Sequence, residues 1–263
     1  MNGDGIGYTS TWQAAPAEPF GKRQPAESEI HVWRAALDLP SDRVGELERF
    51  LAADELERAK RFLVRSARDR YTVARAVLRN LLALYVSAVP AELQFHYTEY
   101  GKPELAHPAT SIRFNVSHSH DLAVYAVTAG VPVGIDVEYL RRRATMDRLK
   151  IAHRVFSDRE YNELASMPRY RRDEAFLACW TRKEAFVKAI GQGLSCPLDQ
   201  FDVSVDPNDP PELRATHWDP LETDRWSMAS VDPGPDYIGA LAVLTLNPKI
   251  TRWQWDHDQA SGI

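Results

Sequence analysis

The chain has 263 residues, which suits one large domain or two of about 130 residues and lets roughly 70–75% of the unfolded surface be buried. It is 44% apolar and 26% charged, with a net charge of −5; this excludes a wholly disordered chain and argues against a general nucleic-acid binder, which would be basic. No apolar run reaches about 18 residues, no basic-then-apolar segment opens the chain, and Cys179 and Cys196 are the two cysteines, so neither a membrane span, a secretion signal nor a disulfide framework is expected, and the reading is a reducing, cytoplasmic protein.

In chain order, residues 1–27 hold Gly, Pro, Ser and Ala without sustained periodicity and read as a flexible arm. A first strand is predicted over Glu29–Leu39 from Ile30, Val32 and Leu37. Ser41 is placed as the N-cap of a helix carrying Leu47, Phe50 and Leu51. A second helix covers Leu56–Leu63, and a long third runs from Ala67 to Ala88 with Tyr71, Ala74, Leu78, Leu81, Leu82 and Tyr85 as its stripe. Period two then takes over, with strands at Leu93–Tyr97, Ile112–Val116, Leu122–Thr128 and Val131–Tyr139 and a turn at Tyr100–Pro103. Helical spacing returns at Thr145–Val155, Ser157–Ala165 and Asp173–Ile190. Alternation resumes around Phe201–Val205, Leu213–Thr216, Trp226–Val231, Ile238–Leu246 and Thr251–Trp255. Each half therefore reads as helices followed by strands, with a join near Ala129–Val133, and the two long helices echo one another with negligible sequence identity.

Five segments carry chemistry. In Val133-Gly-Ile-Asp-Val-Glu138, strand alternation buries Val133, Ile135 and Val137 and sends Asp136 and Glu138 out together, about 7 Å apart along the backbone. Two such carboxylates can converge on Mg²⁺, or they are the polar face of a half-exposed strand. In Phe176–Ile190 the buried stripe is Phe176, Trp180, Val187 and Ile190; Glu184 and Lys188 border it, either as a site or as an i,i+4 pair on a solvated face, and Gly191-Gln-Gly193 stops the helix. Phe114-Asn-Val-Ser-His-Ser-His120 is a strand end in which Ser117 and His118 either bind phosphate or satisfy backbone groups; adjacency in sequence does not make them a serine-hydrolase pair. Gly101-Lys-Pro103 projects Lys102 from a turn. Residues 54–79 carry a local excess of four positive charges, Arg58, Arg70 and Arg75 among them, which is either an anion site or a solvated helix face.

Taken in order, Gly101-Lys-Pro, Phe114-Asn-Val-Ser-His-Ser, Gly134-Ile-Asp-Val-Glu and Trp180-Thr-Arg-Lys-Glu-Ala, followed by Lys188 and Gly191-Gln-Gly-Leu194, resemble the 4′-phosphopantetheinyl transferases of the Sfp type over residues 29–250. Phe156-Ser-Asp-Arg-Glu-Tyr161 resembles that family's helix-starting segment. The resemblance implies an α+β fold of two similar α/β subdomains related by a pseudo-twofold axis, with the site in the cleft between them. The expected division is a flexible arm at 1–27, subdomains at 28–130 and 131–256, and a tail at 257–263. It implies transfer of 4′-phosphopantetheine from coenzyme A to a serine of an apo acyl, peptidyl or aryl carrier protein, with release of 3′,5′-ADP. Asp136, Glu138 and Glu184 would hold Mg²⁺, for which Mn²⁺ can substitute. Glu184 would also orient or deprotonate the carrier serine, and Lys188 would meet the bridging or leaving phosphate oxygen. Lys183 would face the pyrophosphate, while Arg58, Arg75, Lys102, Ser117 and His118 would contact coenzyme A, Arg70 being almost as good a choice as Arg75. A cytoplasmic monomer is expected, with no nucleic-acid or membrane partner. The competing readings are another Mg²⁺-dependent phosphotransferase acting on a nucleotide, and a catalytically silent module that binds coenzyme A or a carrier.

Overall fold

A computed structural model describes residues 11–15, 25, 26, 28–141 and 147–258. Chain order runs β1 (Gln13–Ala14), β2 (Glu29–Ala36), α1 (Ser41–Leu47), α2 (Ala53–Lys60), α3 (Arg65–Val86), β3 (Gln94–Tyr97), β4 (Pro103–His107), β5 (Ile112–Ser119) and β6 (Leu122–Ala129). The same succession of a strand, two short helices, a 22-residue helix and two antiparallel strand pairs then recurs. Its members are β7 (Val133–Tyr139), α4 (Arg148–Val155), α5 (Asp158–Ser166), α6 (Arg169–Ile190), β8 (Phe201–Val203), β9 (Leu213–Thr216), β10 (Ser227–Val231) and β11 (Tyr237–Val243), and β12 (Lys249–Gln254) closes the order.

Sheet pairing repeats with the elements. β2, β6 and β5 are hydrogen-bonded in that order and antiparallel, as are β7, β11 and β10. Beyond β2 lies β12, parallel to it, and β1 adds parallel to β12. Strand alternation splits β2 and β7 between two cores. Ile30 and Val32 meet Val133, Ile135 and Val137 in an apolar layer shared by both sheets. The opposite face of β2 puts Trp33 against Leu78, Leu81 and Tyr125 beneath α3. The corresponding face of β7 lies under α6, so closely that a Cβ on Gly134 would stand 2.0 Å from the Ala185 carbonyl oxygen and 2.4 Å from the Ala189 nitrogen. A residue without a side chain is what lets this helix settle on this strand.

The mixed helix-and-sheet class is as expected, and several boundaries differ. Pro40, not Ser41, occupies the N-cap of α1, and the Ser41 hydroxyl accepts from Arg65 instead. α6 starts four residues before the predicted Asp173, directly after Pro168, whose fixed φ suits a helix entry. Pro103, the last residue of the predicted turn, and residues 104–107, unassigned in the sequence reading, form β4 against β3. Part of the arm is docked: Trp12 donates its indole N–H to the Asp232 carbonyl at 2.6 Å and lies under the Arg34 guanidinium. In the tail, the His257 carbonyl and the Asp258 carboxylate accept from Arg43. The remaining residues of the predicted arm and tail, and residues 145 and 146 of a predicted helix, lie outside the described residues.

Candidate active site

The two halves meet where β5 runs beside β7, and these strands belong to different hydrogen-bonded sheets. Side chains of β5 bridge them. Asn115 Oδ1 accepts from the Ile135 N–H at 2.8 Å, Ser117 Oγ from Val137 at 3.4 Å and Ser119 Oγ from Tyr139 at 3.1 Å. The constant offset makes the strands parallel, and the period of two places all three bridging groups on one side of β5.

This seam also holds the acidic residues. Ser117 donates to Asp136 Oδ1 at 2.8 Å, and Ser119 donates to Glu138 Oε2 at 3.0 Å. Lys188, in the last turn of α6, places its ammonium 2.7 Å from the same Asp136 oxygen, 3.1 Å from Ser117 Oγ and 3.3 Å from the Ile135 carbonyl. Asp136 is 4% exposed, and its second oxygen, Oδ2, is buried without a hydrogen-bond partner. A carboxylate oxygen buried in that way is costly unless something binds it. Glu184, one turn before Lys188, is half-buried. Burial and then the Asp136 charge raise its pKa, with Glu138 adding to the rise and Lys188 opposing it. Three carboxylates and one ammonium thus share a field, although among the described residues no three acidic, histidine or cysteine side chains are gathered at metal-ligating spacing.

Lys102 crosses from the other half. Its ammonium donates to the Lys188 carbonyl at 2.7 Å and the Val133 carbonyl at 3.1 Å, so it caps one of the last carbonyls of α6. Burial lowers its pKa to about 8. A cleft of about 200 Å³, bordered by Tyr100, Pro103, Asn115, Val116 and Gly193, opens beside Lys102 and Lys188.

Comparison with known proteins shows the family of the chain. Residues 132–242 match the 4′-phosphopantetheinyl transferase superfamily model, and residues 41–130 match a 4′-phosphopantetheinyl transferase N-terminal model. The 4′-phosphopantetheinyl transferase HetI of Nostoc sp. is 36% identical over 86% of this chain and 92% of the relative. The chain belongs to the 4′-phosphopantetheinyl transferase superfamily. A 4′-phosphopantetheinyl transferase of Bacillus subtilis is 36% identical over 67% of this chain and 77% of its own length. Sfp of the same species is 30% identical over 59% and 67%. As a phosphopantetheinyl transferase, the protein is an enzyme that moves 4′-phosphopantetheine from coenzyme A onto a carrier protein.

Within this transferase, Asp136, Glu138, Glu184, Lys188, Ser117 and Lys102 come together at the seam, while other predicted site residues do not join them. Lys183 requires correction. It is fully buried on the far side of α6, where its ammonium donates to the Leu198 and Phe201 carbonyls at 2.6 Å each and pairs with Glu160 at 2.8 Å. Packing surrounds α6 on nearly every side, so the apolar stripe did not separate its inner from its outer cations. Ser117 is also turned inward, serving Asp136 and Lys188. His118 projects from the opposite face of β5, exposed along the strand; crowding by protein and the Lys188 charge hold its pKa below the usual imidazole value. Arg75 is occupied by the buried carboxylate of Glu55 and by the Phe95 ring, Arg70 makes two hydrogen bonds to Asp38, and Arg58 lies over Tyr71. Much of the basic tract is thus spent on internal pairs. Asn115 and Ser119 were missed, although their period-two spacing around Ser117 was the available signal.

Proposed function

We propose that the transferase uses Asp136, Glu138 and Glu184 to hold Mg²⁺ against the pyrophosphate of coenzyme A, with Lys188 stabilising charge on the phosphates. The observation that carries this reading is the buried, unpartnered Asp136 Oδ2 beside Lys188 and the electrostatically strained Glu184. Hard carboxylate oxygens suit Mg²⁺ or Mn²⁺, and a bound ion would supply charge neutralisation on the phosphate oxygens.

The chain's own residues account for the rest. The carrier serine attacks the phosphorus that bears pantetheine: its Oγ forms the new P–O bond while the bond to the 3′,5′-ADP oxygen breaks. Lys188, already held by Asp136, Ser117 and the Ile135 carbonyl, is oriented for the departing charge without reorganisation. Glu184 takes the serine proton, directly or through water, and its raised pKa brings it closer to a general base's working range. Lys102 borders the cleft on the approach for coenzyme A phosphates, and His118, on the outer face of the neighbouring strand, is the further basic group we assign to that side.

We assign residues 28–130 and 131–256 to the two subdomains because the element order recurs after β6, with β12 crossing back to pair with β2 in the first. Both halves of the cleft lie in one chain, which supports a monomer. Free, buried Cys179 and Cys196 support a reducing compartment, and no helix among the described residues is long and apolar enough to cross a membrane. The test is mass spectrometry of apo acyl and peptidyl carriers incubated with coenzyme A and enzyme, in Mg²⁺ or EDTA. A mass gain of one phosphopantetheine, abolished by EDTA, is expected; full transfer in EDTA would overturn the metal reading.

A further inference from the structure

The geometry points to Ser119 as a positioning residue that aims the Glu138 carboxylate at the metal, a role that rests on the Mg²⁺ reading above. The hydroxyl has one proton to give and gives it to Glu138 Oε2 at 3.0 Å. Its lone pair is meanwhile taken by the Tyr139 N–H at 3.1 Å, the amide directly after Glu138. The hydroxyl is thereby fixed in direction by the same strand whose carboxylate it orients. Ser117 repeats the device one step along, accepting from Val137 and donating to Asp136.

The two serines differ in what else they meet. Ser117 also receives the Lys188 ammonium, so replacing it would disturb the lysine and the aspartate together. Ser119 is 8% exposed, and its polar contacts run to the residues of β7. Asn115, the third member of the row, bridges to the Ile135 N–H without touching a carboxylate. The row therefore contains its own control: Asn115 holds the seam alone, whereas Ser119 holds the seam and a carboxylate. Removing a partner that orients a metal-ligating side chain typically costs roughly 10–100-fold in metal affinity.

Mn²⁺ binding to the full chain, read by electron paramagnetic resonance without coenzyme A or carrier, tests this. Ser119→Ala should weaken Mn²⁺ by about tenfold, Ser119→Thr should stay within about twofold because it keeps the hydroxyl, and Asn115→Ala should lower the melting temperature while leaving Mn²⁺ affinity within about twofold. If Ser119→Ala does not fold, Ser119→Cys, of similar volume but a weak donor, should show the same loss. The proposal is overturned if the folded Ser119 variant binds Mn²⁺ like the wild type, or if Asn115→Ala weakens binding as much as Ser119→Ala does. Glu138→Gln separates the two readings: no effect of that substitution refutes the metal assignment, whereas a loss with Glu138→Gln and none with Ser119→Ala refutes the positioning role alone.

Discussion

α3 and α6 are the same length and carry a buried cation at the same step: Arg79 and Lys183 are each the fifteenth residue of a 22-residue helix. Each is answered by a glutamate three residues into the preceding short helix, Glu55 of α2 and Glu160 of α5, and each glutamate also closes its own helix N-terminus. Both cations go on to satisfy two backbone carbonyls, Pro90 and Leu93 in one half, Leu198 and Phe201 in the other. The next helical positions diverge. Where α6 has Glu184 and Lys188, α3 has Asn80, whose buried amide returns to the Ala76 carbonyl, and Leu84. The facing strands diverge in the same way: β2 presents His31 and Trp33, both bonded to Tyr85, while β7 presents Asp136 and Glu138. One scaffold is thus used twice, and at these positions the second copy carries the carboxylates and the ammonium that we assign to the site. The comparison also explains Lys183: it belongs to the framework shared by the halves, and Lys188 to what distinguishes them.

The comparison breaks most visibly if the framework pair is removed. Lys183→Met leaves Glu160 buried without its cation and should cost about 3–5 kcal/mol of stability, measured by urea unfolding. Arg79→Met should cost less, because Glu55 keeps Arg75. Equal losses would show that the second arginine contributes nothing, and an unchanged midpoint for Lys183→Met would remove the framework role. Gly134→Ala comes next. Its methyl group must push α6 off β7, so about 3 kcal/mol of destabilisation is expected together with lost transfer; a fully active, equally stable variant would mean that the close approach is unimportant.

Lys188→Met sharpens the distinction instead of breaking it. Turnover should fall about a hundredfold, roughly 2.7 kcal/mol, with coenzyme A affinity changed much less. A rise in KM at constant kcat would make Lys188 a ground-state phosphate clamp. The smallest effect is at Glu184. Its folded pKa is raised, so the folded protein binds this proton more tightly than the unfolded chain, and the stability so gained at low pH is lost as pH climbs through the folded pKa. Glu184→Gln should therefore be more stable than wild type at neutral pH, by about 1 kcal/mol or less, with the difference shrinking toward pH 4, while transfer is abolished. Thermal melts across pH 4–8 check the sign; a variant less stable at pH 7 than wild type would contradict it.

Much of this was legible in the sequence because local periodicity and the final environment agree there. α3 and the strand bearing Asp136 and Glu138 pack one face against apolar layers, so spacing alone predicts them. Lys183 was not legible, since α6 is enclosed on nearly all sides and a lysine on a buried face looks like any other until its carbonyl partners are known. The seam was hidden for a related reason: Asn115, Ser117 and Ser119 look like a strand end feeding a loop, and only the approach of β7, a distant strand, shows them standing in for a backbone ladder. β1 is two residues long and owes its pairing to β12, so no local pattern announces it.

The position of β12 has a consequence for how the protein is made. β2 is an interior strand, flanked by β6 on one side and by β12 on the other. A ribosome delivers β6 within the first half, by residue 129, but the second neighbour arrives only when residues 249–254 have been synthesised. Throughout translation of the second half, the nascent first half therefore carries an open strand edge, the kind of surface on which chains pair with the wrong partner. The two halves look alike, yet the first cannot finish its sheet before the second has emerged.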